Sequence, residues 1–386
     1  MSVSKMIMGQ AAKQYVAPTY VENLFSTYLY GGNGSTQTIT NGIDLSGEGG
    51  LVWIKNRDRA IGHALFDTER GANRDLNSND TSAENYNTAI GQAFNSNGFS
   101  LNNNYTDSNY SGEDFVSWTW RKQPKFFDIV TYTGDGNADR QINHNLGSVP
   151  GMMIVKKYAG STTRWAVYHR SLGTGKFLNL DDTAATVTQN DHWQTAPNAT
   201  QFTVETNGNV NNSGDSYVAY LFAHNDGDGD FGLTNDQDII KCGSYTGSGQ
   251  PTKEIDLGFE PQWSMVKNAT DTSYGGEDWY IFDNMRGMVT GDGDDPQLFA
   301  NKVDAEQASS MMEVMPTGFR VTRTTYNPNV SGETYIYMAI RRGPMDTPTS
   351  ATDVFAIDTG NGNGSSASPE FVSVFPVDFA LIRPTG

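Results

Sequence analysis

Three aspartates at alternate positions, Asp226, Asp228 and Asp230, are the arrangement in this chain most suited to a hard cation. Carboxylates spaced in this way can gather oxygen ligands, and calcium is the one cofactor the sequence raises. Counted from Asp226, an EF-hand loop would need glutamate at its twelfth position. Gln237 stands there, and no helical pattern flanks the run, so a solvated acidic linker is the simpler reading. Asp67 with Arg70, and Asp283 with Arg286, keep one offset of three residues before Gly71 and Gly287. They read as exposed salt bridges holding a turn, worth about 0–1 kcal/mol each. The histidines His63, His144, His169, His192 and His224 are scattered without metal-ligand spacing. Cys242 has no evident histidine partner, and no G-x-S-x-G is present. Trp193 and Trp279, beside polar stretches, are candidates for stacking on a glycan, whereas most tryptophans read as core. No residue is assigned a catalytic role, and the chain does not read as an enzyme.

The chain that must position these groups has 386 residues, with 44 acidic and 26 basic side chains and a formal net charge of -18. That balance disfavours nucleic acid, which needs a basic footprint, and charge-driven binding to an anionic membrane. One cysteine allows no intrachain disulfide and fits synthesis in a reducing cytoplasm. The apolar run Met6-Ile7-Met8 is too short for a signal peptide, and no stretch is long enough for a membrane helix.

Self-similarity is the strongest signal. A tyrosine and glycine turn recurs at Tyr30-Gly31-Gly32-Asn33-Gly34, Tyr132-Thr133-Gly134-Asp135-Gly136 and Tyr245-Thr246-Gly247-Ser248-Gly249. A segment ending in glycine recurs at Leu65–Gly71, Val167–Gly173 and Ile281–Gly287. A third landmark is Ser111-Gly112-Glu113, Ser213-Gly214-Asp215 and Ser331-Gly332-Glu333. From the first copy to the second, all three landmarks advance by 102 residues; the next step is longer, fitting insertions around 225–238 and 289–295.

Within a copy, Leu51-Val52-Trp53-Ile54-Lys55 is a short apolar run between turn residues, and Phe115–Arg121, Tyr217–Phe222 and Tyr335–Ile340 alternate with period two. Both are strand patterns. Helical periodicity is confined to 82–94 and 304–314, each fitting one or two turns. The fold class expected is all-β, with tandem antiparallel β-sandwich repeats of jelly-roll or lectin-like type. The expected divisions are an N-terminal attachment arm at 1–27, sandwiches at 28–123, 127–225 and 239–342, and the start of a partial fourth repeat at 354–386. The array reads as the front of a longer one, since half a sandwich would leave its apolar face uncovered. Gly112, Gly214 and Gly332 are expected in backbone conformations that penalise a Cβ.

Several of these segments resemble a repeat domain common in tail-fibre and other virion structural proteins of tailed phages of marine bacteria, cyanobacteria included. The likeness is carried by Trp53-Ile54-Lys55-Asn56-Arg57-Asp58, Leu65–Gly71, Ser111-Gly112-Glu113 and Gly243-Ser244-Tyr245-Thr246-Gly247. The second copy departs from it, with His169 and Leu172 in the places of Asp67 and Arg70. The resemblance implies a lectin-like sandwich on a virion appendage and transfers no catalytic residues. The function expected is a virion structural protein, a tail fibre or receptor-binding adhesin that spaces and presents a host-binding region. The alternatives are a capsid decoration or head-fibre protein and a polysaccharide depolymerase. The partners expected are other virion proteins through the arm and a host-surface glycan or protein. A homotrimer is implied by the resemblance alone; nucleic acid and membrane insertion are not expected.

Overall fold

The computed structural model describes residues 18–343 apart from 271–276, 292–294 and 323–327, together with the isolated positions 355, 357 and 381. The expected fourth repeat at 354–386 therefore lies outside the described residues except at those positions. The protein is all-β and its strand pairings are antiparallel.

One strand order recurs three times. Entry strands Phe25–Gly31, Phe127–Thr133 and Ile240–Thr246 pair with return strands Asp114–Arg121, Ser216–Phe222 and Thr334–Arg341. Each return strand pairs on its other side with a central strand, Gly50–Asn56, Met152–Ala159 or Pro261–Asn268. Each central strand then pairs with His63–Asp67, Ala166–His169 or Tyr280–Asp283. A smaller sheet belongs to each unit, built on Gln37–Thr40 with Gly98–Leu101, Arg140–Asn143 with Gln201–Val204, and Lys253–Asp256 with Gly318–Val321.

The central strands are buried along most of their length because both their faces are covered. In unit 1, Val52, Ile54, Phe66 and Phe115 pack with Ile39, Phe99 and Leu101 of the smaller sheet. Leu51, Trp53, Trp118 and Trp120 point the other way, into a core to which all three units contribute. At its centre Trp120 meets Phe25, Phe127, Phe222 and Trp263, with ring centroids 5.0–6.4 Å apart. The described residues between 18 and 343 accordingly form one compact unit.

The contacts between units repeat cyclically. The amide of Glu84 donates to Tyr158 O of unit 2 at 2.9 Å, that of Thr186 to Ala269 O of unit 3 at 2.9 Å, and that of Glu306 to Arg57 O of unit 1 at 2.8 Å. The donors are equivalent in the three copies, and so are the acceptors. Unit 1 holds unit 2, unit 2 holds unit 3, and unit 3 holds unit 1, so the three copies close a pseudo-threefold ring.

Three expectations need correction. The first strand begins at Phe25, and Tyr20, Val21, Leu24 and Phe25 are buried, so the end of the proposed arm at 1–27 belongs to the fold; residues 1–17 lie outside the described residues. The segment 82–94 carries one 3-10 turn, Thr88–Ile90, between short strands, while 304–314 carries short strands, each paired to a neighbouring strand, in place of helical turns. The insertion at 223–239 is a folded connection. Asn225 Oδ1 accepts from the amides of Ile239 and Ile240, and Phe231 is buried.

Candidate functional site

The recurring landmarks lead to two places in the ring: the loops at one end of each sheet and the seams between units. At the loops, Tyr30, Tyr132 and Tyr245 stack on Phe115, Tyr217 and Tyr335, with centroids 5.0–5.4 Å apart. Their hydroxyls donate to the carbonyls of Ser108, Val210 and Pro328 at 2.6–2.8 Å. Beside each lies a buried asparagine, Asn109, Asn211 or Asn329, which accepts from one loop amide and donates to a loop carbonyl two residues on. Gly112, Gly214 and Gly332 have φ of 83°, 84° and 84°, the left-handed region expected for them. Their amides donate to Gly32, Gly134 and Gly247.

At the seams, Asp67–Arg70 and Asp283–Arg286 are not exposed pairs. Both members of each have fully buried side chains, 2.5 and 2.6 Å apart, so the small value expected for surface pairs does not apply. Burial works against the Arg70 charge, but Asp67, Tyr220 and Glu84 together, Asp67 foremost, more than offset it and raise the pKa. Each aspartate also accepts from the neighbouring unit: Asp67 from Tyr220 Oη at 2.8 Å and Asp283 from Trp118 Nε1 at 2.9 Å. Arg286 lies over the Trp118 ring, 5.5 Å from its centroid.

The departure in unit 2 follows from the same contact. The residue equivalent to Trp118 and Tyr220 is Met338, which has no hydrogen to donate. The acceptor position facing it is His169, which donates Nε2–H to the Tyr337 carbonyl at 3.1 Å, and Leu172 replaces the arginine. Burial holds the His169 ring down at about 4, so it stays neutral. His63 occupies the position held by Trp165 and Trp279 in the other units. All three donate across a seam to backbone oxygen: Trp165 to Asn77 and Asp80, Trp279 to Asn179, and His63 Nε2 to Phe299 and Lys302. His63 Nδ1 accepts from Trp53 Nε1 at 2.8 Å, which fixes the neutral tautomer; burial first, and Lys55 next, lower its pKa to about 3.

Lys55, Lys156 and Lys267 stand at one equivalent position, and burial lowers each to about 8. Lys156 and Lys267 spend their amines on carbonyls of the adjoining unit, Thr81 and Thr183, at 2.9 and 3.0 Å. Lys55 bonds Asn56 O and Arg59 O within its own unit. Lys156 and Lys267 thus tie adjoining units together, whereas Lys55 braces a loop of its own unit.

Trp193 and Trp279 are each 1% exposed and offer no face to a sugar, so neither is a glycan contact. Their polar neighbours misled because the polar segments themselves pack inward. Asp226, Asp228 and Asp230 are exposed and do not converge. Asp230 pairs with Lys125 at 2.7 Å, Asp228 accepts the Asp226 amide, and Asp226 lies 4.0 Å from Lys241. Among the described residues no group of three His, Cys, Asp or Glu is gathered as a cation would need. Cys242 is buried, its thiol pushed up by burial, and its amide donates to His224 Nδ1.

Sequence reasoning missed the seam roles of His63, Trp118, Tyr220, Glu306, Lys156 and Lys267. The available signal was lysine at the same place in every copy, inside an apolar strand. No curated protein matches the chain. Residues 21–344 match a family described as a domain of unknown function (DUF7483), and this span takes in all three units as one. The chain belongs to that family.

Proposed function

We propose that the chain is a structural component of a phage virion, part of a tail fibre or receptor-binding appendage that presents a host-binding surface. The observation that carries this reading is the polarity of the ring. Phe25, Phe127 and Ile240 begin the entry strands, and Trp120, Phe222 and Ile340 lie opposite them in register at the hub end. The connections 122–126 and 223–239 leave from that end. The three glycine loops stand at the other ends of the same strands, braced by their tyrosines and asparagines. A body joined at one end and presenting three similar loops at the other suits a presenting module. The likeness of Trp53–Asp58 and Leu65–Gly71 to phage appendage repeats supports the same reading.

The test is competition. Purified protein is added to host cells before the particle carrying it, and particle adsorption is measured together with immunogold labelling of the virion. The reading expects labelled appendages and reduced adsorption. Labelling on the capsid shell would favour the decoration reading. Release of reducing ends from host polysaccharide by the protein alone would favour the depolymerase. No labelling of the particle would overturn the virion assignment.

A further inference from the structure

The three seams are equivalent in geometry but not in connection. The 1–2 seam is spanned by residues 122–126 and the 2–3 seam by residues 223–239, whereas unit 3 meets unit 1 without a linker between them. At this closing seam the equivalent positions carry different chemistry. Tyr158 and Ala269 occupy the acceptor place in units 2 and 3, while unit 1 has Arg57. Its guanidinium makes a bidentate pair with Glu306, Nε to Oε2 at 2.9 Å and Nη2 to Oε1 at 2.7 Å, and Arg286 approaches the same carboxylate at 3.3 Å. Burial pushes the Glu306 carboxyl up, but the two arginines more than offset this and hold it below its usual range. The only other salt bridge from one unit to the next among the described residues is the longer contact of Lys122, beside the 1–2 connection, with Asp128 at 3.6 Å. A charged clasp thus sits at the seam that the chain does not itself tie.

The connection to unit 3 is also the longer one. Fully extended, residues 223–239 would reach on the order of 55 Å, against about 17 Å for 122–126. Once its packing is released, unit 3 could leave its own ring and stay attached. The faces it would expose are those for which another copy carries the complement, so exchange would restore every contact of the closed ring. We propose that the 1–3 seam is the ring's opening point, closed by Arg57 and Glu306, and that the open form engages a second copy of this chain by exchange of unit 3.

The amides of Glu84, Thr186 and Glu306 report the three seams separately. Hydrogen exchange should be fastest at Glu306 and should quicken there only modestly when salt rises from about 0.05 to about 0.5 M, since the pair is mostly buried and only partly screened. Arg57→Ala should accelerate Glu306 most, and Thr186 to a lesser degree because release of unit 3 also breaks the 2–3 seam, while Glu84 stays protected, which also shows that the variant is folded. Isotopically light and heavy chains, mixed at high concentration in the higher salt and returned to native conditions, should give mixed dimers by native mass spectrometry. Arg57→Ala should raise their fraction several-fold. Uniform exchange at the three amides, or selective opening at Glu306 with monomers alone in both proteins, would overturn the proposal.

Discussion

At the scale of single residues, the copies have diverged in pairs. Unit 1 carries Trp53 with His63, where unit 2 carries Ile154 with Trp165 and unit 3 carries Met265 with Trp279. Each pair carries one indole, on the central strand or on its neighbour, and in unit 1 the two members touch, with ring centroids 5.7 Å apart. Swapping one member alone must overfill the site or empty it. We predict that His63→Trp destabilises the protein by about 1–3 kcal/mol through overpacking. Adding Trp53→Ile should recover much of that loss, because the double variant restores the arrangement of unit 2. Denaturant melts of the two single variants and the double variant check this. Simple additivity would contradict a shared pocket. The Asp67 and Asp283 acceptors with their Tyr220 and Trp118 donors, against His169 with Met338, show the same logic.

At the scale of elements, the repeated turns and strands were legible in the sequence, whereas what they pack against was not. The tyrosine and glycine turn, the left-handed glycine and the alternating return strand are local patterns, set by backbone sterics and period-two geometry. Gly32, Gly134 and Gly247 add a constraint visible only in three dimensions. A Cβ at any of them would run into a backbone carbonyl, of Tyr110, Asn212 or Val330. We predict that Gly134→Ala unhooks the unit 2 loop from its return strand. The Gly214 amide, bonded to Gly134 O at 2.9 Å, should then exchange faster while the amides of unit 3 keep their protection. Unchanged exchange at Gly214 would show that the loop can absorb a methyl group. The two-sided central strands were harder to read. An unbroken run such as Leu51–Lys55 says that both faces are buried, but not that one of them faces another unit. That is why Asp67 and Arg70 read as a surface pair, and why Trp193 and Trp279 read as exposed. The spacing of charged and aromatic residues along a chain carries no mark of which loops will fold over them.

At the scale of the whole molecule, the account turns on the closure of three copies round a common core. Separate sandwiches on linkers would each bury their own apolar faces and melt on their own terms. Here Trp118, Trp120, Phe222 and Trp263 are buried only because their neighbours are in place, so losing one unit exposes the inner faces of the other two. The net charge of -18 opposes nonspecific association, but it does not hold the ring together. The most direct test is differential scanning calorimetry of the whole chain, comparing the calorimetric enthalpy of unfolding with the van't Hoff enthalpy from the width of the transition. A single cooperative ring predicts one transition with a ratio of about one, whereas three independent sandwiches would give separate transitions, or one transition with a ratio of about three, and would contradict the account.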